Sequence, residues 1–536
     1  MNRFRNFILW CVLIAVTAAA LVFLNRTERR LDDTIDRAKL RFSGAVADAP
    51  PAVAFTTMAL GSFRGLLADV LWLRSENLKS KHNYFEMVQL ARWITDLQPN
   101  YSGGTAYLAW NLAYNVSVTS SNWEDRWYWV NEGIRLIRDK ALVYNPDDPK
   151  LYQEMAWIYL HKLGNVLDDA NLYYKNQLAQ QMTNILGAAS PDFEVLAAAP
   201  ATEAEFMKRF PLGSPLWKAA AELGCRNYAE LYDLFRKPIP AALPAGLKNG
   251  IPESDFNLAE AALRRKLLKE RLGLDPAKMA EIDRKYGKMD WRVPESQAIY
   301  WATIGWEKSK ERDIQCIRIV TQAMQAAFRG GRLLTLDTAE GTYIQVVPNL
   351  ALADAAFDTY VTAQEKFGRD GGGESFRSAR INYLKDAIPL IYVNGSITKA
   401  EEFFRKLIKE DGPQKQKTLD EFVMVEFAED VRDADVKKAS AIISGLIRRS
   451  ILNLVYGDHD AAVANERLAR YIYRRYSADN SDVKRNTLPP YAKLKESVVN
   501  ESRIILPPAM VQLLNAAIAA EQAESVGSAA GGTEKK

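Results

Sequence analysis

Cysteine and histidine are scarce in this chain of 536 residues, at three of each. Cys11 lies inside the first apolar run, which leaves Cys225 and Cys316 for the rest of the protein. They form one disulfide or remain two free thiols, and no CxxC points to a redox or zinc site. None of His82, His161 and His459 has a second His or Cys at ligand spacing, and HExxH is absent, so no metal ligand is named. GxSxG, Walker A and Rossmann glycine patterns are missing as well, and with them any reason to expect a cofactor. An excess of one charge is also lacking. Lys plus Arg is 70 and Asp plus Glu is 66, a net +4, of which Arg3 and Arg5 precede the apolar run. That balance excludes nucleic acid as an expected partner. At 48% hydrophobic and 25% charged, the composition excludes a disordered, collagenous or disulfide-stapled chain. The length exceeds what one compact core fills.

Long apolar runs are limited to one, Phe7 to Leu24, in which Thr17 is the single polar residue among 18. As a helix it measures about 27 Å, close to a hydrocarbon core of about 30 Å. A single-pass transmembrane helix over 1–25 is therefore expected. A cleaved signal peptide ending near Ala18-Ala19-Ala20 is the competing reading, but Leu21-Val22-Phe23-Leu24 carries the run past that point. Arg3 and Arg5 favour an inside amino terminus. Arg26, Arg29, Arg30, Arg37, Lys39 and Arg41 count against export. The signal-anchor form favours a body on the exported, periplasmic or extracytoplasmic side.

Beyond the anchor, 26–56 reads as a charged stalk and a linker with Pro50-Pro51. Apolar residues then recur at three- and four-residue spacing over Leu60 to Lys79 and Tyr84 to Leu97, with Pro99 as a stop. Further helices are expected over Tyr107 to Val118, Trp123 to Tyr144, Pro149 to about Leu163, and Leu167 to about Leu186. An offset of 47 maps Pro99 onto Pro146, Ala109 onto Ala156 and Trp110 onto Trp157. It also maps Met87, Leu90, Ile94 and Leu97 onto Ile134, Ile137, Ala141 and Tyr144. Apolar face and terminating proline recur together, the mark of a duplicated helical hairpin that cannot bury its stripe alone.

Hairpins return later. Gly395 turns into a helix with Ala400, Phe404 and Leu407 on one face, closed by Pro413, and Gly457 precedes Ala462 at the same step. This pattern of turn glycine, small residue, aromatic and closing proline resembles the tetratricopeptide repeat family, with Trp72, Trp110 and Trp157 as bulky residues of first helices. The resemblance departs in its period, 47 here against about 34 in the family. It departs again at Glu466, which stands where an aromatic belongs. It implies a helical solenoid and protein–protein binding, and carries over no catalytic residue.

The expected organisation is aromatic-rich helical repeats over 57–187 and an Ala/Pro-rich helical connector over 188–256, with one helix from Trp217 to Phe235. Helical pairs then fill 257–375, with a β-hairpin near 332–347. Repeats over 376–518 and a disordered tail over 519–536 complete the chain. The fold class is thus all-α: an α-solenoid of hairpins with one small β insertion and an N-terminal transmembrane helix.

Seven of the twelve tryptophans lie between Trp72 and Trp157. Trp123, Trp127 and Trp129 cluster with Arg126 and Tyr128; on a helix 123 and 127 share a face and 129 does not. Such rings serve as repeat core or as an exposed platform for a partner's peptide or a sugar. Trp123, Arg126, Trp127 and Trp129 are the candidate partner-binding residues. Asp147-Asp148, Asp168-Asp169 and Glu401-Glu402 are the carboxylate pairs a glycosidase would need, but they sit at helix starts or on exposed helix surfaces, where the helix dipole explains them. The expected function is a non-catalytic, membrane-anchored scaffold for protein partners in envelope assembly or secretion. A polysaccharide-acting enzyme on a helical toroid and a purely structural envelope protein are the alternatives.

Overall fold

The computed structural model describes Phe63 to Ala530, except residues 82, 166–167, 188–190, 339–340, 369–371, 395, 412–417, 420, 424–435 and 480–486, together with Phe23, Arg26, Thr27 and Arg30. The expected anchor at 1–25 and the stalk and linker at 26–56 fall outside the described residues, those four positions excepted. So do Gly395 and Pro413 of the later hairpin. Among the described residues no helix is long and apolar enough to cross a membrane. The described chain is all-α apart from one two-stranded sheet.

The chain divides into two compact units, Met1–Leu108 with Arg135–Pro146, and Ala109–Ile134 with Asp147–Lys536. In the first, helices Phe63–Ser80 and Tyr84–Leu97 follow one another through a tight turn in which the Asn83 N–H donates to the Leu78 carbonyl at 3.0 Å. Met87, Leu90, Ala91, Ile94 and Leu97 form the buried stripe of the second helix, the spacing expected of one helix face. The return segment bonds back to the end of that helix and to Pro99 just past it. Asn145 Nδ2 donates to the Pro99 carbonyl at 2.6 Å, and Lys140 Nζ lies 2.8 Å from Asp96.

In the second unit, helix Pro294–Lys308 is buried on nearly every side, as expected of a central rather than a surface helix. Gly305 is what lets its neighbours close in. A Cβ there would come within 2.9 Å of both the Tyr152 Cβ and the Cys316 sulfur. Cys225 and Cys316 are free and buried, so the two-thiol alternative holds. Burial, with Asp313 beside it, pushes the Cys316 thiol well up, which leaves it unreactive.

The hairpin forms where expected, Arg332–Thr338 paired antiparallel with Gly341–Val347, Leu333 opposite Val346. A buried ion pair docks it. Asp290 Oδ2 accepts from Arg292 Nη2 at 2.7 Å and from the Leu333 N–H at 2.9 Å, and Arg292 Nη2 also donates to the Leu333 carbonyl at 2.9 Å. One carboxylate and one guanidinium thus satisfy both backbone groups of a strand residue.

Two expectations change. The single helix from Trp217 to Phe235 is two, Pro215–Glu222 and Tyr228–Arg236. Gly224 takes the left-handed backbone at φ +83° between them, and Asn227 caps the second by accepting from the Glu230 N–H at 3.0 Å. The helical connector expected over 188–256 contains Phe193–Ala198 and Glu203–Arg209, each started by a capping side chain, Asp192 and Thr202. The tail expected to be disordered from 519 is helical to Ala530. Alanines 516, 517, 519, 520 and 523 extend the helix because they lose least on entering it.

At the C-terminal end, helices Val436–Val455, His459–Asp479, Tyr491–Ile505 and Pro508–Ala530 share one core around Ile443, Ile447, Ile451, Ile472 and Val498. Glu466, where the family pattern asks for an aromatic, bonds Lys495 at 2.8 Å and Arg470 at 2.6 Å instead. Burial acts to raise its pKa, but those two cations outweigh it and hold the carboxyl below its usual range.

Replacing Arg292 by Met strands a buried carboxylate and should cost about 3–5 kcal/mol. Urea unfolding of the full chain measures this, and a loss under about 1 kcal/mol, the range of exposed pairs, would show that the pair does not dock the hairpin.

Candidate functional site

The 47-residue repeat carries a ring pair in each copy. Helix Ser102–Trp110 continues into a π-helical turn, Asn111–Val116, and helix Pro149–Trp157 continues into another, Ile158–Leu163. The two turns begin one residue after Trp110 and Trp157, in the same register. Each wider turn admits an extra residue and re-aims the side chains that follow. Ala109 and Ala156 are both fully buried just before them.

Within the second unit these turns bring four rings into one ladder. Trp110 stacks on Tyr114 with centroids 5.5 Å apart, Tyr114 meets His161 at 5.8 Å, and His161 stacks on Trp157 at 4.7 Å. Tyr114 and His161 are themselves related by the offset of 47, so the ladder reads Trp, ring, ring, Trp across the repeat. Tyr114 Oη and His161 Nδ1 are buried and have no hydrogen-bond partner among the described residues. Burial lowers the His161 pKa, and Lys162 beside it adds to the effect. The imidazole is therefore neutral at physiological pH, which suits a stacked ring.

A charged centre lies against this ladder. Lys162 is buried with its ammonium 5.5 Å from the Tyr114 ring centroid and 5.9 Å from that of Tyr174, in cation–π range. Asp168 Oδ2 is 2.5 Å from Lys162 Nζ, and Asp168 Oδ1 accepts from the Ala170 N–H at 2.9 Å. Arg126 Nη1 stands 3.4 Å from both Asp168 and Asp169, and Arg126 Nε donates to the Ser120 carbonyl at 2.9 Å. Burial pushes the Asp168 pKa up, but the Lys162 and Ala170 hydrogen bonds, together with the Lys162 and Arg126 charges, pull harder and hold the carboxyl below its usual range.

The four candidate residues separate. Trp123 is 49% exposed and its ring faces Tyr173 at 6.1 Å. Trp127, one turn on, stacks on Tyr174 at 5.9 Å, and Arg126 reaches the aspartates beside it. Trp129 is only 4% exposed, edge-on to Tyr128. It is a core residue because its position on the helix turns away from the 123–127 face. Leu172 adds to the open surface at 69% exposed.

Tyr114 and Lys162 were not singled out by sequence reading. The offset that matches Trp110 to Trp157 would have found Tyr114 opposite His161. Nothing local marks Lys162 as buried. The other acidic candidates serve the scaffold: Asp148 caps a helix by accepting from the Lys150 N–H at 3.0 Å, Asp147 pairs with Lys308, and Glu402 lies between Lys399 and Lys406.

Comparison with protein-family models, curated proteins and solved structures finds no match to this chain.

Asp168→Asn leaves the Lys162 ammonium buried without its counter-charge and should cost about 3–5 kcal/mol at neutral pH. A carboxyl whose pKa falls on folding stabilises above its unfolded value, about 3.9, and loses that contribution as pH drops through the folded value. The gap between parent and variant in urea midpoints should therefore be full at pH 7 and shrink below about pH 4. A gap independent of pH would contradict this assignment.

Proposed function

We propose that this chain is a membrane-tethered helical-repeat scaffold of tetratricopeptide-like hairpins that binds protein partners through the Trp123–Arg126–Trp127 face. The observation that carries the reading is Trp123: a large apolar ring half open to water, beside an arginine fixed by carboxylates and a second tryptophan already stacked. Trp, Tyr and Arg are the residues that dominate protein interfaces, and rings held in place lose little entropy on binding. Tyr173 and Tyr174 brace the two tryptophans from below, so the surface is stiff before a partner arrives. The apolar run Phe7 to Leu24 supplies the tether, and its signal-anchor form sets the body on the exported side, where envelope assembly or secretion would use it.

Trp123→Ala removes an exposed ring and should leave the melting temperature within about 2 °C of the parent, as surface changes do. Photocrosslinking from position 128 in intact membranes should then recover at least about tenfold less partner, the loss typical of a hot-spot ring. Unchanged recovery would remove this face from the account. A phosphatase reporter fused after Lys536 should be active on the exported side, and an inactive reporter on a membrane-inserted fusion would reverse the orientation.

A further inference from the structure

Away from the aromatic ladder, the second unit encloses a cavity of about 500 Å³ between helices Pro276–Tyr286, Pro294–Lys308, Ile314–Gly330 and Ala353–Phe367. That volume lies in the range of small-molecule sites. Its floor is apolar: Tyr286, Trp306, Ile317 and Val320 line it and are all buried. One buried hydroxyl of the lining has no partner among the described residues. Thr303 is 2% exposed, lines the cavity, and its hydroxyl has no partner among the described residues. A helical threonine ordinarily returns its hydroxyl to a carbonyl of the preceding turn. Thr321 and Thr359 do so, at 2.9 Å to Arg318 and 2.7 Å to Ala356. Thr303 does not, so a residue that lines the cavity holds a buried hydroxyl with its hydrogen-bonding capacity unused.

The rim has charges of both signs. Glu311 and Lys366 pair with each other, and Asp354 pairs with Lys399 and Lys406. Lys285 and Asp358 remain. Among the described residues neither makes an ion pair, and Lys285 has only the face of Tyr286, 5.1 Å from its ammonium. One cation and one anion without an ion pair thus line a pocket whose walls also carry the hydroxyl residues Tyr286, Thr303, Thr359 and Thr362.

We infer that this cavity binds a small zwitterion with an apolar side chain, the chemistry shared by a free α-amino acid and a short peptide. The ligand ammonium meets Asp358, its carboxylate meets Lys285, its side chain fills the space over Trp306 and Val320, and its polar backbone bonds the Thr303 hydroxyl. Lys285 and Asp358 make no ion pair among the described residues, although Asp358 stands in the field of Lys406 and Lys399, and the Thr303 hydroxyl has no hydrogen-bond partner there.

The test is titration calorimetry on the full chain in detergent, with L-leucine and L-leucyl-L-leucine as probes. Leucinamide, which lacks the carboxylate, and 4-methylpentanoate, which lacks the ammonium, are the controls. The expected result is saturable binding of one or both zwitterions, weakened at least about tenfold for each control. The stronger of leucine and leucyl-leucine identifies the source. Asp358→Asn, Lys285→Met and Thr303→Val should each weaken binding at least about tenfold, with the melting temperature unchanged for the two rim variants. If Thr303→Val alters folding, Thr303→Ser keeps the hydroxyl and should retain affinity. No saturable heat with either zwitterion at millimolar concentration would overturn the proposal. So would binding that Asp358→Asn and Lys285→Met leave untouched, or controls that bind as well as the zwitterions.

Discussion

An amphipathic helix has a stripe of apolar side chains that water penalises and that the helix cannot cover by itself. Each part of this structure answers that constraint with another helix. Met87 to Leu97 is covered within the first unit, Pro294–Lys308 is surrounded in the second, and the last four helices share one core. Charged side chains enter the interior as pairs at two points among the described residues. Asp290 with Arg292 and Lys162 with Asp168 are the deepest ion pairs, and each also bonds backbone or faces aromatic rings. Other buried polar atoms have no hydrogen-bond partner among the described residues, among them those of Tyr114 and His161 in the ladder, Thr303 beside the cavity, and Glu295 and Gln297 on the central helix.

The helices were largely legible because their signals are local. Proline at 99, 146 and 149, the three- and four-residue spacing, and the offset of 47 fixed where elements begin and end. The helix expected over Tyr84 to Leu97 has those ends in the structure. The β-hairpin was legible for the same reason, from alternation around Gly341. Boundaries that failed did so where a local device competed with periodicity. Gly224 and Asn227 broke one helix in two, and alanines prolonged the last one beyond the point where small polar residues suggested disorder.

The site was legible only in part, since it depends on contacts between distant segments. Trp123, Arg126 and Trp127 could be grouped by helix geometry alone. The burial of Trp129, the depth of Lys162 and the meeting of Tyr114 with His161 follow from how one hairpin lies on the next, which spacing within a segment does not report. The cavity beside Thr303 has still less trace in the chain, because its four walls come from four helices and its rim charges look like ordinary solvated surface.

Two π-helical turns start one residue past a tryptophan, 47 residues apart, while a third, Ile137–Ala141, stands 47 residues after a stretch of the regular helix Tyr84–Leu97. A wider turn rotates every side chain beyond it relative to those before it. At the two matched turns that rotation has one consequence: a phenol at 114 and an imidazole at 161 meet between their own tryptophans.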